Sequence, residues 1–225
     1  MTWALANLGL IWGRTLDHIV LSLPPIVLCF VIAVPLGWLA RRYTISRGVI
    51  LTGAGLLYAV PSLPLFFVLP AVIGTGLRSP LNVIIALTLY GVALMVRVVS
   101  DGLDSVDADV RQSATAMGYS GWTRFWQVEL PLAGPVLLAG MRVVAVSTVS
   151  LVTVGAVIGV QSLGSLFTDG FQRGIQAEII AGLVATVGLA LLFDGALVLL
   201  GRILMPWTRR TAPARVNTPI EVSAA

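Results

Sequence analysis

Gln112-Ser113-Ala114-Thr115-Ala116-Met117-Gly118-Tyr119-Ser120-Gly121-Trp122-Thr123-Arg124-Phe125-Trp126-Gln127-Val128-Glu129-Leu130-Pro131 is a polar, helix-favouring island set between long apolar segments. In a membrane protein such an island reads as a docking site for a partner, and composition places the chain in that class. Of its 225 residues 57% are hydrophobic and only 11% charged, with a mean hydropathy of +0.97. A soluble domain carries about 45–50% apolar and about 25% charged residues, so lipid is the solvent for most of this chain. The single cysteine, Cys29, lies in an apolar run, can form no internal disulfide and reads as a packing or lipid-facing residue. All fourteen basic residues are arginine, and the net charge of +4 reads as cytoplasmic-face charge with no nucleic-acid footprint.

A hydrocarbon core about 30 Å thick takes roughly 20 apolar residues at about 1.5 Å each. Five such runs extend outward from the island: residues 19–40, 48–69 and 81–96 before it, 132–155 and 179–204 after it. They predict an all-α integral membrane domain over residues 18–205 with five transmembrane helices; a sixth requires splitting the second or fourth run. Residues 1–17, with Trp3 and Trp12, are expected to lie at the interface as an amphipathic segment. No basic stretch precedes an apolar one there, so no cleaved signal peptide is expected. Residues 206–225 carry no apolar period and are expected to be a disordered cytoplasmic tail.

Arginine placement orients the spans. With the N-terminus outside, ten arginines fall inside (41, 42, 47, 97, 111, 124, 202, 209, 210 and 215), three fall outside (14, 78 and 173), and Arg142 lies within a span. Cytoplasmic segments hold the excess of positive charge, so the expectation is N-terminus out and C-terminus in across the bacterial cytoplasmic membrane. The island, about residues 101–131, is then cytoplasmic.

Local signals divide the island into two helices. Asp107 can cap a helix over 108–117 that Gly118 ends; Ser120 can cap a second over 121–129, and Pro131 suits the start of the next span. Val110, Ala114 and Met117 fall three to four apart and form a narrow stripe that a partner groove could bury. Trp122, Phe125 and Trp126 form an aromatic cluster that reads equally as a membrane-interface belt or a partner contact.

With those residues in view, Ala114 through Gly118 and Val128 to Leu130 and Pro131 resemble the cytoplasmic coupling loop of bacterial ABC importer permeases, with matching spacing. The departure is Gln112-Ser113-Ala114, where the family pattern has Glu-Ala-Ala; a neutral hydrogen bond from Gln112 would replace a charge-assisted contact. Over roughly residues 5–205, Tyr58-Ala59-Val60-Pro61-Ser62-Leu63-Pro64, Val128-Glu129-Leu130-Pro131-Leu132-Ala133-Gly134-Pro135, Ala139-Gly140-Met141-Arg142 and Gly155-Ala156-Val157-Ile158-Gly159 are similar to permeases of osmoprotectant importers. Those carry glycine betaine, choline, carnitine or proline-type solutes. The resemblance implies two ABC ATPase subunits inside, a second permease (the same chain or a sister), and an extracytoplasmic solute-binding protein.

The chain carries no Gly-x4-Gly-Lys-Ser/Thr phosphate loop and no lysine, so ATP and Mg are expected on the partner ATPase, with no cofactor, metal or catalytic residue on this chain. Closure of the ATPase pair would then act through a rigid cytoplasmic lever, for which Gln112, Ser113, Ala114, Gly118, Leu130 and Pro131 are the candidates. Broken helices mark transport pathways, and Tyr58, Pro61, Ser62 and Pro64 sit where the second run is interrupted, as a gate, a pore-lining bend or a tolerated kink. Tyr58, Phe66, Phe67 and Tyr90 are candidates for cation-π contact with a quaternary ammonium solute. Arg142 and Asp194 lie inside spans, where an unpaired charge costs on the order of 3 kcal/mol; they could pair, and Asp194 is expected at a protein interface. His18 reads as an interface residue heading the first span. A membrane enzyme is disfavoured, because no two-His pair, Cys/His cluster or paired acids recur within spans. A methionine-type amino-acid permease and a passive channel are the alternatives.

Overall fold

The computed structural model describes residues 2–210. Among them every regular element is helical: α1 (Thr2–Ala6), α2 (Leu8–Arg42), α3 (Thr44–Ala59), α4 (Ser62–Ile73), α5 (Pro80–Asp104), α6 (Ala108–Ala116), α7 (Gly121–Arg124), α8 (Leu130–Val152), α9 (Gly164–Arg173) and α10 (Gln176–Leu204). A π-helical turn, Phe125–Glu129, joins α7 to α8, and a 3₁₀ segment, Thr153–Ile158, follows α8. Four stretches are long and apolar enough to cross a membrane: Leu8–Arg42, Pro80–Asp104, Gly121–Ile158 and Gln176–Leu204. The bent pair Thr44–Ala59 and Ser62–Ile73 supplies the fifth when counted as one broken span. A sixth span does not arise. The fourth run stays one helix, and the halves of the second, 16 and 12 residues, are each too short to cross about 30 Å.

α2 runs unbroken for 35 residues, about 52 Å, through Arg14, Asp17 and His18, so helix continues across residue 17. Polar residues change hydropathy without breaking a helix. One expectation is corrected: Pro131 does not open a new helix, because α7, the π turn and α8 form one continuous stretch. Pro131 has no N–H to give, and the π turn absorbs the irregularity just ahead of it: the N–H of Leu130 reaches back five residues to the carbonyl of Phe125. Of the expected tail, residues 206–210 form a 3₁₀ turn, and residues from 211 onward lie outside the described ones.

α5 is the centre of the bundle and carries the longest buried face, from Asn82 to Leu103. It packs against α2 along its length because small residues let the backbones approach. A methyl added at Gly37 would meet Val99 Cγ1 at 2.5 Å, and one at Gly91 would meet Cβ of Cys29 at 2.7 Å. Cys29 is thus a packing residue, wholly buried. α8 lies on the other side of α5, and α10 lies outside α8 with only Glu178, Gly182, Leu189 and Gly201 buried. α3 buries nothing. In lipid such apolar exposure carries no penalty, so outer helices need no cover within the chain.

At the end opposite the island, α1, α9, the 3₁₀ segment and the loop 74–79 gather around the starts of α2, α5 and α10. His18, fully buried, places Nε2 3.0 Å from the Val149 carbonyl and so ties α2 to α8.

Candidate functional site: the polar island and its attachment to the bundle

The island folds as its local chemistry directs. The Asp107 carboxylate accepts from the N–H of Asp109 at 2.8 Å and caps α6, and Ser120 Oγ accepts from the N–H of Thr123 at 3.2 Å and caps α7. Between them Gly118 takes φ +86°, in the left-handed region. The N–H of Tyr119 then reaches the carbonyl of Ala114 at 3.1 Å and that of Gly118 the carbonyl of Thr115 at 3.0 Å, a Schellman close. A side chain at 118 would be strained, although no neighbour crowds it.

Ala114 is buried, whereas Val110 and Met117 are 40% and 70% exposed, so the expected stripe is split: Ala114 seats α6 on the bundle and the other two face outward. Gln112 and Ser113 are exposed. Gln112 lines an open groove of about 430 Å³ together with Arg41, Ala108, Arg111, Thr115, Ala116 and Arg124. The aromatic cluster divides likewise. Phe125 is buried with its ring centroid 5.9 Å from that of Trp38 on α2, while Trp122 and Trp126 stay exposed, edge to face at 5.6 Å. Leu130 and Pro131, half-buried, sit where the π turn becomes α8.

What holds the island to the bundle is a charge network that the sequence reading missed. Glu129, 2% exposed, accepts from Arg124 Nε at 2.7 Å through Oε1 and from Arg41 Nη1 at 2.5 Å through Oε2. Arg124 also donates to Thr115 Oγ1 of α6 at 2.7 Å. Arg41 continues to Asp104 at 3.0 Å, and Arg47 of α3 reaches the same carboxylate at 2.7 Å. Five elements, α2, α3, α5, α6 and the α7–π–α8 helix, are thereby joined through two carboxylates. The signal was present in two places: a lone Glu129 beside an apolar run, and the Arg41-Arg42 pair closing another. Neither names its partner, because pairing across 63 and 88 positions leaves no local pattern.

Inside the apolar layer the structure pairs Arg142 with Asp194. Nε and Nη2 of Arg142 donate to the two carboxylate oxygens at 2.6 and 2.8 Å, a bidentate bond that links α8 to α10. The side chains remain 43% and 25% exposed.

In the second run, Pro61 and Pro64 produce a 105° bend between α3 and α4. Val60 is extended between the two helices, so its carbonyl lies outside the ladder of α4, and the Tyr90 hydroxyl donates to it at 2.5 Å. The Tyr58 and Tyr90 rings meet edge to face at 6.1 Å. The candidates Tyr58, Pro61, Ser62 and Pro64 are therefore gathered at one break, with Tyr90 as their anchor. Phe66 is fully buried and Phe67 is 49% exposed, so these two do not join the tyrosines in one aromatic cage.

Comparison with known proteins follows the same lines. The family profile described as binding-protein-dependent transport system inner membrane component matches residues 14–210. The osmoprotectant import permease protein OsmW of Salmonella typhimurium is 32% identical over 91% of this chain and 96% of its own. The glycine betaine/carnitine/choline transport system permease protein OpuCB of Bacillus subtilis is 29% identical over 92% and 94%. Among solved structures, an inward-facing form of the MetNI methionine ABC transporter superposes with a TM-score of 0.77 at 20% identity, covering 88% of this chain and 98% of that one.

Proposed function

This chain belongs to the family of binding-protein-dependent transport system inner membrane components, and from that membership we propose that it carries a compatible solute such as glycine betaine, choline or proline betaine into the cell. As an ABC importer permease it is a transport subunit and not a catalytic one. ATP and Mg would be held by two ATPase subunits docked at the island, solute would arrive from an extracytoplasmic binding protein, and a second permease would complete the pathway by alternating access. The N-terminus would lie outside and the C-terminus inside, in keeping with the arginine distribution.

The observation that carries the reading is the attachment of α6. A short capped helix presents Gln112, Ser113 and Met117 outward and is tied through Arg124 and Glu129 to the foot of α8. A force on α6 therefore meets a fixed lever and not a soft loop. Gln112, Ser113, Ala114, Gly118, Leu130 and Pro131 act in this lever, and the break at Tyr58, Pro61, Ser62 and Pro64 borders the solute path.

The test is uptake of labelled glycine betaine, choline and methionine by cells that lack other importers and express the complete system. Accumulation of betaine or choline, abolished by Gly118→Asp with the ATPase still bound, supports the proposal. Accumulation of methionine alone would replace it with the amino-acid reading, and solute flux persisting without the ATPase would replace it with a channel.

A further inference from the structure

Opposite the island, α9 is amphipathic. Leu163, Leu166 and Gly170 are buried toward α10, while Ser165, Thr168, Asp169 and Gln172 recur at helical spacing on the other face. That polar face and the 3₁₀ segment enclose a groove of about 290 Å³, lined also by Ala156, Val157, Gly159 and Gln161. Its size falls just below the roughly 300–1,000 Å³ usual for drug-sized ligands, which suits a smaller solute.

Two charges of opposite sign border it, and both lack an ion pair or hydrogen bond among the described residues. Asp169 lies on the groove wall, exposed. Arg78 lies across Gly159, with Nε 3.0 Å from where a β-carbon at that glycine would stand. The backbone around them is tied down at three places. Fully buried Asn82 fixes the Arg78 loop through the carbonyls of Gly76 at 2.8 Å and Leu77 at 3.2 Å. The Ser162 N–H donates to Ser165 Oγ at 3.2 Å, and Arg173 clamps buried Glu178 at the turn from α9 into α10. A rigid polar groove with one free anion and one free cation at its edge is complementary to a molecule bearing both charges.

We infer that this groove is a solute site for a small zwitterionic quaternary ammonium compound, with its cationic head against Asp169 and its carboxylate toward Arg78. The inference rests on the osmoprotectant reading and adds to it a place, two residues and a preference for solutes that carry a carboxylate. Such a site at the outer end of α8 and α10 receives solute released from the binding protein before the pathway opens inward.

Equilibrium binding of radiolabelled glycine betaine and choline to the complete permease–ATPase complex in lipid nanodiscs, with no binding protein present, tests it. Wild type is expected to bind betaine saturably and more tightly than choline. Asp169→Asn is expected to weaken both by about fivefold, the scale of a solvent-exposed ion pair, with Asp169→Glu recovering most of the loss. Arg78→Gln is expected to weaken betaine alone and so abolish the preference. Absence of saturable binding in wild type, unchanged binding in Asp169→Asn, or an equal effect of Arg78→Gln on both solutes overturns the inference. In a second assay with binding protein added, an Asp169→Asn shift in the concentration that half-saturates ATPase stimulation, with solute binding unchanged, also overturns it and marks the groove as a protein-docking surface. Failure of wild-type cells to accumulate either solute would instead remove the parent reading, so the two failures are distinguishable.

Discussion

At Glu129 two guanidinium groups from distant parts of the chain converge on one carboxylate that is 2% exposed. Without that carboxylate Arg41 keeps Asp104 and Arg124 keeps Thr115, but both lose their buried anion, at a cost of up to about 3 kcal/mol. Glu129→Gln is therefore expected to lower the melting temperature of the purified complex and to reduce solute moved per ATP. Asp104 is the control. It serves Arg41 and Arg47, but its side chain is 39% exposed, so Asp104→Asn is expected to cost about 1 kcal/mol or less. Equal effects in the two melting curves would show that Glu129 has no special role. Tyr90 poses the neutral version of the problem. Tyr90→Phe removes the donor to the Val60 carbonyl beside the α3–α4 break, and because Val60 is 38% exposed the expected cost is that of one ordinary hydrogen bond, about 0.5–1.5 kcal/mol. Chemical denaturation of the variant is expected to show a loss within that range, with the bend less well fixed.

Among the helices, those built on unbroken apolar runs were legible in the sequence, because hydropathy in lipid is close to a direct readout of a span. The island caps were legible too, since Asp107, Gly118 and Ser120 act on residues at most four positions away. α9 was not. Its apolar positions alternate with polar ones over ten residues, too short to register as a span, and it is held in place by α10 and by the 3₁₀ segment. The continuity of α2 was not legible for the opposite reason: hydropathy falls before residue 18 but helix continues. The contact between α8 and α10 through Arg142 and Asp194 was foreseeable as a pairing of charges, but its bidentate geometry required the helices to be placed. A pair of this kind is costly to break and cheap to replace, since desolvation offsets much of its attraction. Arg142→Met and Asp194→Leu are each expected to reduce the yield of folded permease, and the double substitution to restore it. If the restored double variant also transports at the wild-type rate, the pair serves packing alone; if it folds without transporting, the charges act in the cycle.

For the whole molecule, the island and mid-bilayer share one helical stretch, Gly121–Ile158, so motion imposed on α7 has no joint at which to dissipate before the apolar layer. That makes a long-range readout available. Cys29 is fully buried, so a Cys29→Ser chain carrying Ser150→Cys offers one exposed thiol near the far end of α8. Its labelling by a water-soluble maleimide is expected to change when ATP is added to the complete transporter, and to become indifferent to ATP once Gly118→Asp is introduced. Indifference with the native glycine in place would refute a rigid lever. The π turn gives this lever one further property. A π turn holds one residue more than the α-helix it interrupts, and one residue is about 100° of rotation about the axis. The angular setting between the island and the Arg142 face of α8 is thus a matter of residue count between Phe125 and Glu129. Under the proposed coupling, substitutions there would tune how firmly a partner's stroke is received, but only the gain or loss of a residue would turn the direction in which it is delivered.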